Sequence, residues 1–392
     1  MSKIIFYAPF SLDKVDSGAK IRAYGILVSL LNAGFEVEYV GLYFSNKDGD
    51  LKLAEKKMAR DMPLSKVKLL KHGSSTAKIV FRMIFMRYSY RKAKFYNSAV
   101  RRYLSSAGGR AVWLNFVDSL DYIDCSHEGP LFVDTHNDDY EWYSQFQNTG
   151  GALHKLFGYI SKSNFSCEAR RIRKDANLVF CSDSDRNTFI SRFGCENYSY
   201  CVPNSIFGRD YYSEDDFDEW FMRPIDILFI GSLDVAMNAS AADYIVQQLV
   251  PFLHGRRIVV AGRTDRESHW ASYFREAGVE FVPNPETVSS LYKSAKIFVM
   301  PFDKGGGSKL KLIEALVSGC LVVSTREGSI GFGKELVDAE FNLVLDEFRG
   351  KVEEVFSSIK EVYLRQSKVR RLFKEQYTWE MSDSMTSIYD EL

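Results

Sequence analysis

Residues 297–325 read IFVMPFDKGGGSKLKLIEALVSGCLVVST, and this stretch decides the fold of the second half of the chain. The apolar run 297–300 predicts a buried strand that ends at Pro301, because proline cannot donate to a strand ladder. A glycine-rich turn and an apolar helical repeat follow, and a second apolar strand is predicted at 321–323. The order strand, turn, helix, strand predicts one unit of a parallel α/β sheet.

The turn and the helix start predict an anion site. The first amides of a helix are unpaired and its dipole is positive there, so a phosphate is the expected ligand. Ser308 is predicted to cap a helix that begins at Lys309, and the dipole disfavours lysine in a first turn unless an anion binds. Solvated lysines beside a glycine loop kept for packing are the alternative. The candidate contacts are Gly305, Gly306, Gly307, Ser308, Lys309 and Lys311.

The same segment resembles a known signature. GGGSKLKLIEALVSGCLVVST, continued by EGSIGF at 327–332, resembles the donor-binding signature of glycosyltransferase family four, the retaining GT-B enzymes of bacterial cell-surface glycan type. Many members carry two glutamates eight positions apart, of which Glu314 matches the second and Gly306 stands at the first. The resemblance implies that the Glu314 carboxylate accepts hydrogen bonds from two ribose hydroxyls. It implies a catalytic set of His136, Lys309, Lys311 and Glu314.

The resemblance also implies the architecture and the reaction. The fold class is α/β, as a GT-B fold of two Rossmann-like domains facing across a cleft, with a C-terminal helix crossing back to the N-domain. The expected domains are an acceptor domain at 1–206, a donor domain at 207–375 and the returning helix at 376–392. The expected enzyme moves a sugar, with retention and without metal, from a UDP- or GDP-type donor to a glycan or lipid-linked acceptor. No further cofactor is expected.

The N-terminal half supplies three further candidates. A short buried strand at 3–8 leads into a loop and a helix, and the family resemblance places Gly18 and Lys20 near the donor diphosphate. A plain loop and helix start is the alternative. His136 follows an apolar strand at 130–134, at the carboxyl end where open α/β sheets place ligands. Family members carry a similar D-x-H segment, which implies that His136 hydrogen-bonds the sugar or the acceptor.

The second half opens with the apolar strand 225–230, after an acidic stretch at 212–220 that predicts a hydrated linker. Gly231 and Ser232 begin the turn after this strand and are candidate diphosphate contacts. Many relatives carry an arginine and a lysine here, and this chain has neither. Arg263, after the strand 257–262, and the two lysines of the signature are therefore expected to neutralise the diphosphate.

Residues 62–117 contain no Asp or Glu and are rich in Lys and Arg. Residues 79–88 mix aromatic residues and methionine with arginine, a composition that suits a helix on an anionic membrane surface. Two alternatives explain the same composition. The segment could bind an acidic acceptor such as a lipid-linked diphosphate sugar, or it could be only a solvated basic face.

Composition limits the remaining classes. A length of 392 residues predicts two domains, and a formal net charge of zero gives no general attraction to nucleic acid. Six scattered cysteines without a Cys-x-x-Cys pair predict reduced thiols and a cytoplasmic protein. No signal peptide and no run long enough to span a bilayer is recognised, so any membrane contact is expected to be peripheral.

A metal is not expected. Residues 183–185 match the Asp-x-Asp pattern of metal-dependent glycosyltransferases, but they follow a predicted strand, where Ser182 and Asp183 are expected to cap a helix. Two other hypotheses remain open. One is a GT-B relative with epimerase or phosphorylase chemistry, and the other is a membrane-docked scaffold with a degenerate nucleotide pocket.

Overall fold

The computed structural model describes residues 3–44, 48–136, 139–148, 151–195, 197–213, 216–304, 309–332 and 340–392. The chain forms two compact units. The first comprises residues 1–204 and 383–392, and the second comprises residues 205–382.

The first unit is built on a parallel sheet of seven strands in the order β3-β2-β1-β4-β5-β6-β7. The strands of the interior are apolar at nearly every position, as expected for a sheet covered by helices on both faces. Their bounds are Lys3–Ala8 (β1), Glu36–Tyr43 (β2), Lys66–Lys71 (β3), Ala111–Asn115 (β4), Leu131–Asp134 (β5), Ala176–Phe180 (β6) and Ser199–Cys201 (β7).

Eight helices connect these strands in the described residues of the first unit, and a short ninth comes from the end of the chain. Their bounds are Gly18–Asn32 (α1), Asp48–Asp61 (α2), Thr76–Phe85 (α3), Tyr90–Phe95 (α4), Ser98–Leu104 (α5), Asp139–Asn148 (α6), Ala152–Ala169 (α7), Asp183–Phe193 (α8) and Thr386–Tyr389 (α17). A 3₁₀ helix at Val117–Tyr122 follows β4.

Aromatic rings on neighbouring strands hold this sheet together. Trp113 of β4 lies between Phe6 of β1 and Phe132 of β5, with ring centroids 6.3 Å and 5.4 Å away and nearly parallel planes. All three side chains are fully buried. Because these residues are paired across the parallel strands, the ring stack fixes the register of the sheet centre.

The second unit has a parallel sheet of five strands in the order β10-β9-β8-β11-β12. Its strands are Ile225–Ile230 (β8), Ile258–Gly262 (β9), Glu280–Pro283 (β10), Ala295–Met300 (β11) and Leu321–Ser324 (β12). Its helices are Phe217–Phe221 (α9), Ala236–Tyr244 (α10), Glu267–Glu276 (α11), Ser289–Lys293 (α12), Leu310–Val317 (α13), Arg326–Ser329 (α14), Leu345–Ser357 (α15) and Ile359–Gln376 (α16).

The order of the second sheet creates a switch point. The chain runs from β8 outward to β9 and β10, and then returns to build β11 and β12 on the other side of β8. In open parallel sheets, ligands bind outside the carboxyl ends of the strands at such a point. The loops that follow β8 and β11 are therefore the places to look for a site.

Of three local predictions about helix starts, one is confirmed, one is corrected and one concerns a residue outside the described part of the chain. Ser182 caps α8, and its hydroxyl accepts a hydrogen bond of 3.1 Å from the amide of Asp185, as predicted. Helix α13 begins at Leu310, not at Lys309, which is the N-cap residue with an extended backbone. The proposed cap Ser308 lies outside the described residues.

The acidic stretch at 212–220 is not a hydrated linker. Asp216 caps α9, residues 217–220 lie within this helix, and Trp220 is fully buried in the core of the second unit. The Trp220 indole donates a hydrogen bond of 3.0 Å to the carbonyl of Gly319. One buried aromatic ring therefore outweighs the polar composition around it.

The predicted single helix at 376–392 is also wrong. Helix α16 ends at Gln376, and Thr378 then pairs with Ile206 in an isolated bridge. The Ile206 amide donates to the carbonyl of Tyr377 (3.0 Å), and the Trp379 amide donates to the carbonyl of Ile206 (2.9 Å). These bonds require an extended backbone, so the helix cannot continue. The second unit ends at Ser382, beyond the predicted limit at 375.

In the part of the chain that the structure describes, no helix is long and apolar enough to cross a bilayer.

Candidate active site

Three predicted site residues follow strands that meet at the switch point of the second unit. Gly231 and Ser232 come directly after β8, and Arg263 comes directly after β9. The loop after β11 leads to Lys309 and α13. The predicted contacts Gly305, Gly306, Gly307 and Ser308 lie outside the described residues.

Glycine is required at position 231 by close packing. A Cβ atom there would lie 2.7 Å from Cγ of Asn238, closer than real side chains approach. A Cβ atom at Gly262 would lie 1.9 Å from the carbonyl oxygen of Gly231. The two strand ends and the start of α10 therefore approach each other at backbone distance, which only glycine permits.

Lys311 is anchored at this point. Its Nζ donates a hydrogen bond of 3.0 Å to Oδ1 of Asn238, whose Nδ2 donates to the carbonyl of Ser232 at 2.9 Å. The same ammonium group lies 5.6 Å from the ring centroid of Phe229 and 5.1 Å from that of Phe302. Lys311 is thus held toward the ends of β8 and β11 by one amide and two aromatic faces.

The electrostatic surroundings of Lys311 disfavour its charge. Burial and the nearby charge of Lys309 lower the pKa of Lys311 to about 8, although Glu314 opposes this effect. Lys309 itself is buried, with 8% of its surface exposed. Two lysines therefore lie close together at the N-terminal end of α13, where the helix dipole is also positive. An anion bound at this end would offset the cost of burying the charge of Lys311, its repulsion by Lys309 and its repulsion by the helix dipole.

Glu314 is one turn further along α13 and is already hydrogen-bonded. Its Oε1 accepts from the hydroxyl of Tyr211 at 3.1 Å, and its Oε2 accepts from the hydroxyl of Tyr292 at 2.9 Å. Burial raises the pKa of Glu314, and the two tyrosine hydroxyls and Lys311 limit that rise. Each carboxylate oxygen keeps one further acceptor site, because it can accept two hydrogen bonds.

Arg263 has an exposed side chain. Its carbonyl accepts a hydrogen bond of 2.8 Å from the amide of Leu233, which ties the loop after β9 to the loop after β8. Asp234 supports the same junction, since its carboxylate accepts from the hydroxyl of Thr264 (3.1 Å) and the amide of Asp265 (3.1 Å). These bonds fix the backbone of Arg263 at the edge of the switch point, and its side chain is exposed there.

In the first unit, Gly18 begins α1 and Lys20 lies in its first turn. Nζ of Lys20 contacts the carboxylate of Asp16 at 2.9 Å and donates to the carbonyl of Lys14 at 3.0 Å. The charge of Lys20 is therefore balanced by a neighbouring carboxylate, whereas the hydrogen-bond partner of Lys311 is the neutral amide of Asn238.

His136 occupies a strained and buried position at the end of β5. Its φ angle is 60°, and 3% of its surface is exposed. Nε2 lies 2.8 Å from Oδ1 of Asn115 and 3.3 Å from Oδ2 of Asp134. The imidazole stacks on Phe116 with a centroid distance of 4.1 Å. Burial lowers the pKa of His136 to about 4, although Asp134 opposes this effect.

The hydrogen bonds of Asn115 define the tautomer of His136. Nδ2 of Asn115 donates to the carbonyl of Tyr7 at 2.7 Å, so its oxygen faces the histidine. Nε2 of the neutral imidazole must then carry the proton, and Nδ1 is left as an acceptor. At neutral pH His136 can accept a hydrogen bond from a hydroxyl but cannot act as a cationic acid.

A second buried pair fixes the carboxylate next to His136. The guanidinium of Arg22 contacts Asp134 through Nε (2.9 Å) and Nη2 (2.7 Å), and its Nη1 donates to the carbonyl of Val202 (2.7 Å). Both side chains are buried. This pair joins α1, β5 and the segment after β7, and its geometry holds the backbone that presents His136.

Four residues of these sites were not singled out from the sequence. Asn238, Tyr211 and Tyr292 contact Lys311 and Glu314, and Arg22 contacts Asp134. Arg22 lies among apolar residues on the inner face of α1. A charged residue in such a position is the sequence signal that could have indicated a buried ion pair. The others come from distant segments without any pattern of their own.

The part of the chain that the structure describes contains no cluster of three or more His, Cys, Asp or Glu side chains able to hold a metal ion.

Comparison with known proteins gives a family match for part of the chain and one relative of low identity. Residues 224–362 match the family model described as glycosyl transferases group 1. An uncharacterized 44.6 kDa protein in the cps region of Klebsiella pneumoniae is 24% identical over 211 residues. That match covers 50% of this chain and 52% of the Klebsiella protein, so the chain spans about half the length of this relative.

Two solved structures resemble the whole chain. Anabaena Alr3699/HepE in complex with UDP and glucose has a TM-score of 0.66 and 11% identity, with all of both chains covered. Sucrose-phosphate synthase from Thermosynechococcus elongatus has a TM-score of 0.68 and 13% identity, covering 100% of this chain and 99% of its own. At this identity the likeness concerns the fold, which is the GT-B fold.

Proposed function

We propose that this protein transfers a sugar from a nucleoside diphosphate sugar to an acceptor hydroxyl, because residues 224–362 match the family model described as glycosyl transferases group 1. The transfer retains the anomeric configuration and needs neither a metal nor another cofactor. The observation that carries this proposal is the pair Lys309 and Lys311 at the N-terminal end of α13, beside the switch point of the second sheet.

The two lysines have a direct role in this reaction. When the bond between the anomeric carbon and the phosphate oxygen breaks, negative charge grows on the departing diphosphate. Lys309, Lys311 and the helix dipole are fixed at one place before the reaction begins, so they stabilise that charge without reorganisation. Gly231, Ser232 and Arg263 follow the adjacent strands and are assigned to the same diphosphate. The signature glycines and Ser308 complete this assignment as amide donors.

Glu314 is assigned to the ribose of the donor. Its two oxygens each hold one tyrosine hydroxyl and can each accept one more hydrogen bond. Two vicinal hydroxyls match this pattern. The tyrosines therefore orient the carboxylate of Glu314 and leave its remaining acceptor sites to the ribose hydroxyls.

His136 is assigned to a hydroxyl of the transferred sugar or of the acceptor. Its low pKa keeps it neutral, so it acts by accepting a hydrogen bond and not by donating a proton to the leaving group. In a retaining transfer, the acceptor oxygen bonds to the anomeric carbon on the face from which the phosphate leaves. The acceptor proton then passes to the leaving phosphate oxygen, so no protein base is required.

Gly18 and Lys20 are assigned to the donor diphosphate. Lys20 must give up its contact with Asp16 to bind it.

The similar proteins support a choice of donor and of pathway. HepE was crystallised with UDP and glucose, which makes UDP-sugars the first donors to test, with GDP-sugars next. The Klebsiella relative comes from a cps region, so we assign this protein to cell-surface polysaccharide biosynthesis. The acceptor is a glycan or a lipid-linked oligosaccharide, and the reaction takes place in the cytoplasm, with the basic segment 62–117 available to an anionic membrane surface.

One experiment separates transfer from the alternatives. A panel of UDP- and GDP-sugars is incubated with the protein, with and without bacterial lipid and glycan fractions, and release of nucleoside diphosphate is measured in buffer containing EDTA. A transferase gives release that depends on the acceptor and survives EDTA, and the product keeps the anomeric configuration of the donor by NMR. Conversion of the donor sugar without acceptor would indicate an epimerase, and dependence on inorganic phosphate would indicate a phosphorylase. A scaffold would bind no nucleotide.

A further inference from the structure

Three cavities lie next to one another in the first unit. The first, of about 260 Å³, is lined mainly by apolar side chains of α3, α6 and α7. The second, of about 270 Å³, shares Tyr90 and Trp142 with the first. The third, of about 430 Å³, shares Lys94 and Phe95 with the second. The shared residues show that neighbouring cavities adjoin, and the row of three cavities is called the groove.

The groove changes character along its length. The first cavity is lined by Ile79 and Val80 of α3 and by Phe157 of α7. The third lies at the carboxyl ends of β1 and β2, where it is lined by polar and aromatic residues such as Ser11 and Tyr43. The groove therefore runs from an apolar end to a polar end at the edge where parallel sheets bind their ligands.

The apolar end opens near a helix that has little cover. Among the described side chains of α3, only Met83 is buried. Phe81, Ile84 and Phe85 expose 55%, 53% and 72% of their surfaces. Adjacent exposed apolar side chains of this size indicate contact with an apolar partner.

Most cations near the groove are neutralised by the protein. Arg91 pairs with Asp118 and Asp139, the latter being the one carboxylate that lines the second cavity. Lys92 pairs with Asp121 and Glu168. The charges of Arg91 and Lys92 are therefore balanced inside the protein.

Lys94 is different. Its ammonium group lies 5.9 Å from the ring centroid of Tyr90 and 5.3 Å from that of Phe95, and it has no carboxylate partner among the described residues. It lines both the second and the third cavity. A partly buried cation without a carboxylate partner in the described part of the chain, at the polar end of an apolar groove, is complementary to an anionic group attached to an apolar chain.

We propose that this groove binds a lipid phosphate, with the chain in the first cavity and the phosphate at Lys94. The inference rests on the proposed function and narrows its acceptor from a glycan or a lipid-linked oligosaccharide to the lipid-linked class. A free glycan has no apolar chain to occupy the first cavity. The polar third cavity is also lined by Lys20, which is assigned to the donor diphosphate, so the acceptor sugar that receives the transfer is placed there.

Decyl phosphate is a suitable probe, titrated below its aggregation concentration and followed by calorimetry. We expect saturable binding that decanol and inorganic phosphate do not reproduce. In a series of alkyl phosphates, each added methylene should tighten binding by about fourfold until the cavity is full. Geranyl phosphate, also with ten carbons, distinguishes an isoprenoid source from a straight acyl source by which of the two binds more tightly.

Two variants with matched controls locate the site. Lys94→Ala should weaken decyl phosphate binding by about ten- to a hundredfold, whereas Lys78→Ala, an exposed lysine of α3, should not. Val80→Trp should fill the apolar cavity and abolish the chain-length dependence, whereas Phe81→Trp on the exposed side of α3 should retain it. Melting temperatures verify that each variant is folded.

Equal binding by Lys94→Ala and wild type, or affinity that does not depend on chain length, would overturn the inference. UDP binding measured on the same samples keeps the two proposals apart. UDP binding without decyl phosphate binding would refute the lipid phosphate site alone. Decyl phosphate binding by a protein that binds no nucleoside diphosphate would refute sugar transfer and leave the site in place.

Discussion

Lys311 Nζ donates a hydrogen bond of 3.0 Å to Oδ1 of Asn238, although 73 positions separate the two residues in the chain. The bond joins the first turn of α13 to the first turn of α10, and the Asn238 amide also holds the carbonyl of Ser232. A neutral amide fixes the position of the lysine without neutralising its charge. The charge therefore remains available for an anion.

The first prediction concerns Asn238. Asn238→Asp places a carboxylate beside Lys311, which raises the pKa of the lysine but also occupies its charge. UDP affinity should fall by about tenfold or more, because the new carboxylate repels the diphosphate. Asn238→Ala should weaken binding less, since it removes only the anchor. Calorimetry with UDP on both variants measures this order, and a tighter complex with the aspartate variant would refute it.

The second prediction concerns pH. The pKa of Lys311 is lowered to about 8, so the free protein loses this positive charge as the pH rises through that value. UDP affinity should therefore be highest below pH about 8 and should decrease between about pH 7 and 9, where a terminal phosphate is already ionised. In Lys311→Arg the charge persists, and the decrease should disappear. Binding measured at several pH values tests this, and identical pH profiles for both proteins would contradict it.

The third prediction concerns stability. The pKa of Lys311 in the folded state lies below its value of about 10.4 in an unfolded chain, so burial of the charged lysine destabilises the folded state at neutral pH. This penalty is fully present below pH about 8 and is lost as the pH rises toward about 10. Lys311→Met should therefore raise the free energy of unfolding at pH 7 by about 1 kcal/mol, while it lowers transfer activity. Urea unfolding measures the change, and a less stable variant would show that the lysine serves structure.

The fourth prediction concerns Tyr211. Its hydroxyl donates to Oε1 of Glu314, so Tyr211→Phe frees one side of the carboxylate to reorient. The KM for the donor should rise by about tenfold with a smaller change in kcat, because the ribose contact forms before the reaction. Tyr212→Phe is the matched control, since Tyr212 donates to the hydroxyl of Thr378 and not to Glu314. Equal KM values in the two variants would remove Tyr211 from the site.

The fifth prediction concerns the backbone at His136. A φ angle of 60° is tolerated by asparagine and disfavoured by β-branched residues. His136→Asn should keep a melting temperature near that of the wild type and lose transfer activity, whereas His136→Val should also lose stability. Circular dichroism and turnover, measured together, separate the two effects. Full activity in His136→Asn would exclude a role for the imidazole in transfer.

Local patterns predicted most of the fold. Apolar runs and helical spacing predict a strand at 297–300, a helix from Lys309 and a strand at 321–323, and the structure contains all three as β11, α13 and β12, with bounds that differ by one or two residues. The alternation of strands and helices also predicted two parallel sheets. Each of these features depends on residues close together in the chain, where spacing carries the information.

The partners of the site residues could not be predicted in this way. Tyr211 lies 103 positions from Glu314, and its segment was interpreted as leading into a linker because of its acidic neighbours. No sequence pattern marks Asn238 as a partner of Lys311. Their contacts depend on which loops the sheet order brings together, and that order is set by the packing of the whole unit. Trp220 shows the same limit, since its burial becomes evident only once its core is assembled.

The central claim is that the end of α13 and its lysines bind the donor diphosphate. A crystal structure with the nucleoside diphosphate that gives the largest thermal stabilisation tests this claim most directly. We predict that the diphosphate oxygens lie within hydrogen-bonding distance of Lys309 and Lys311, with the ribose hydroxyls on Glu314. A nucleotide bound elsewhere in the protein, with both lysines unchanged, would contradict the account.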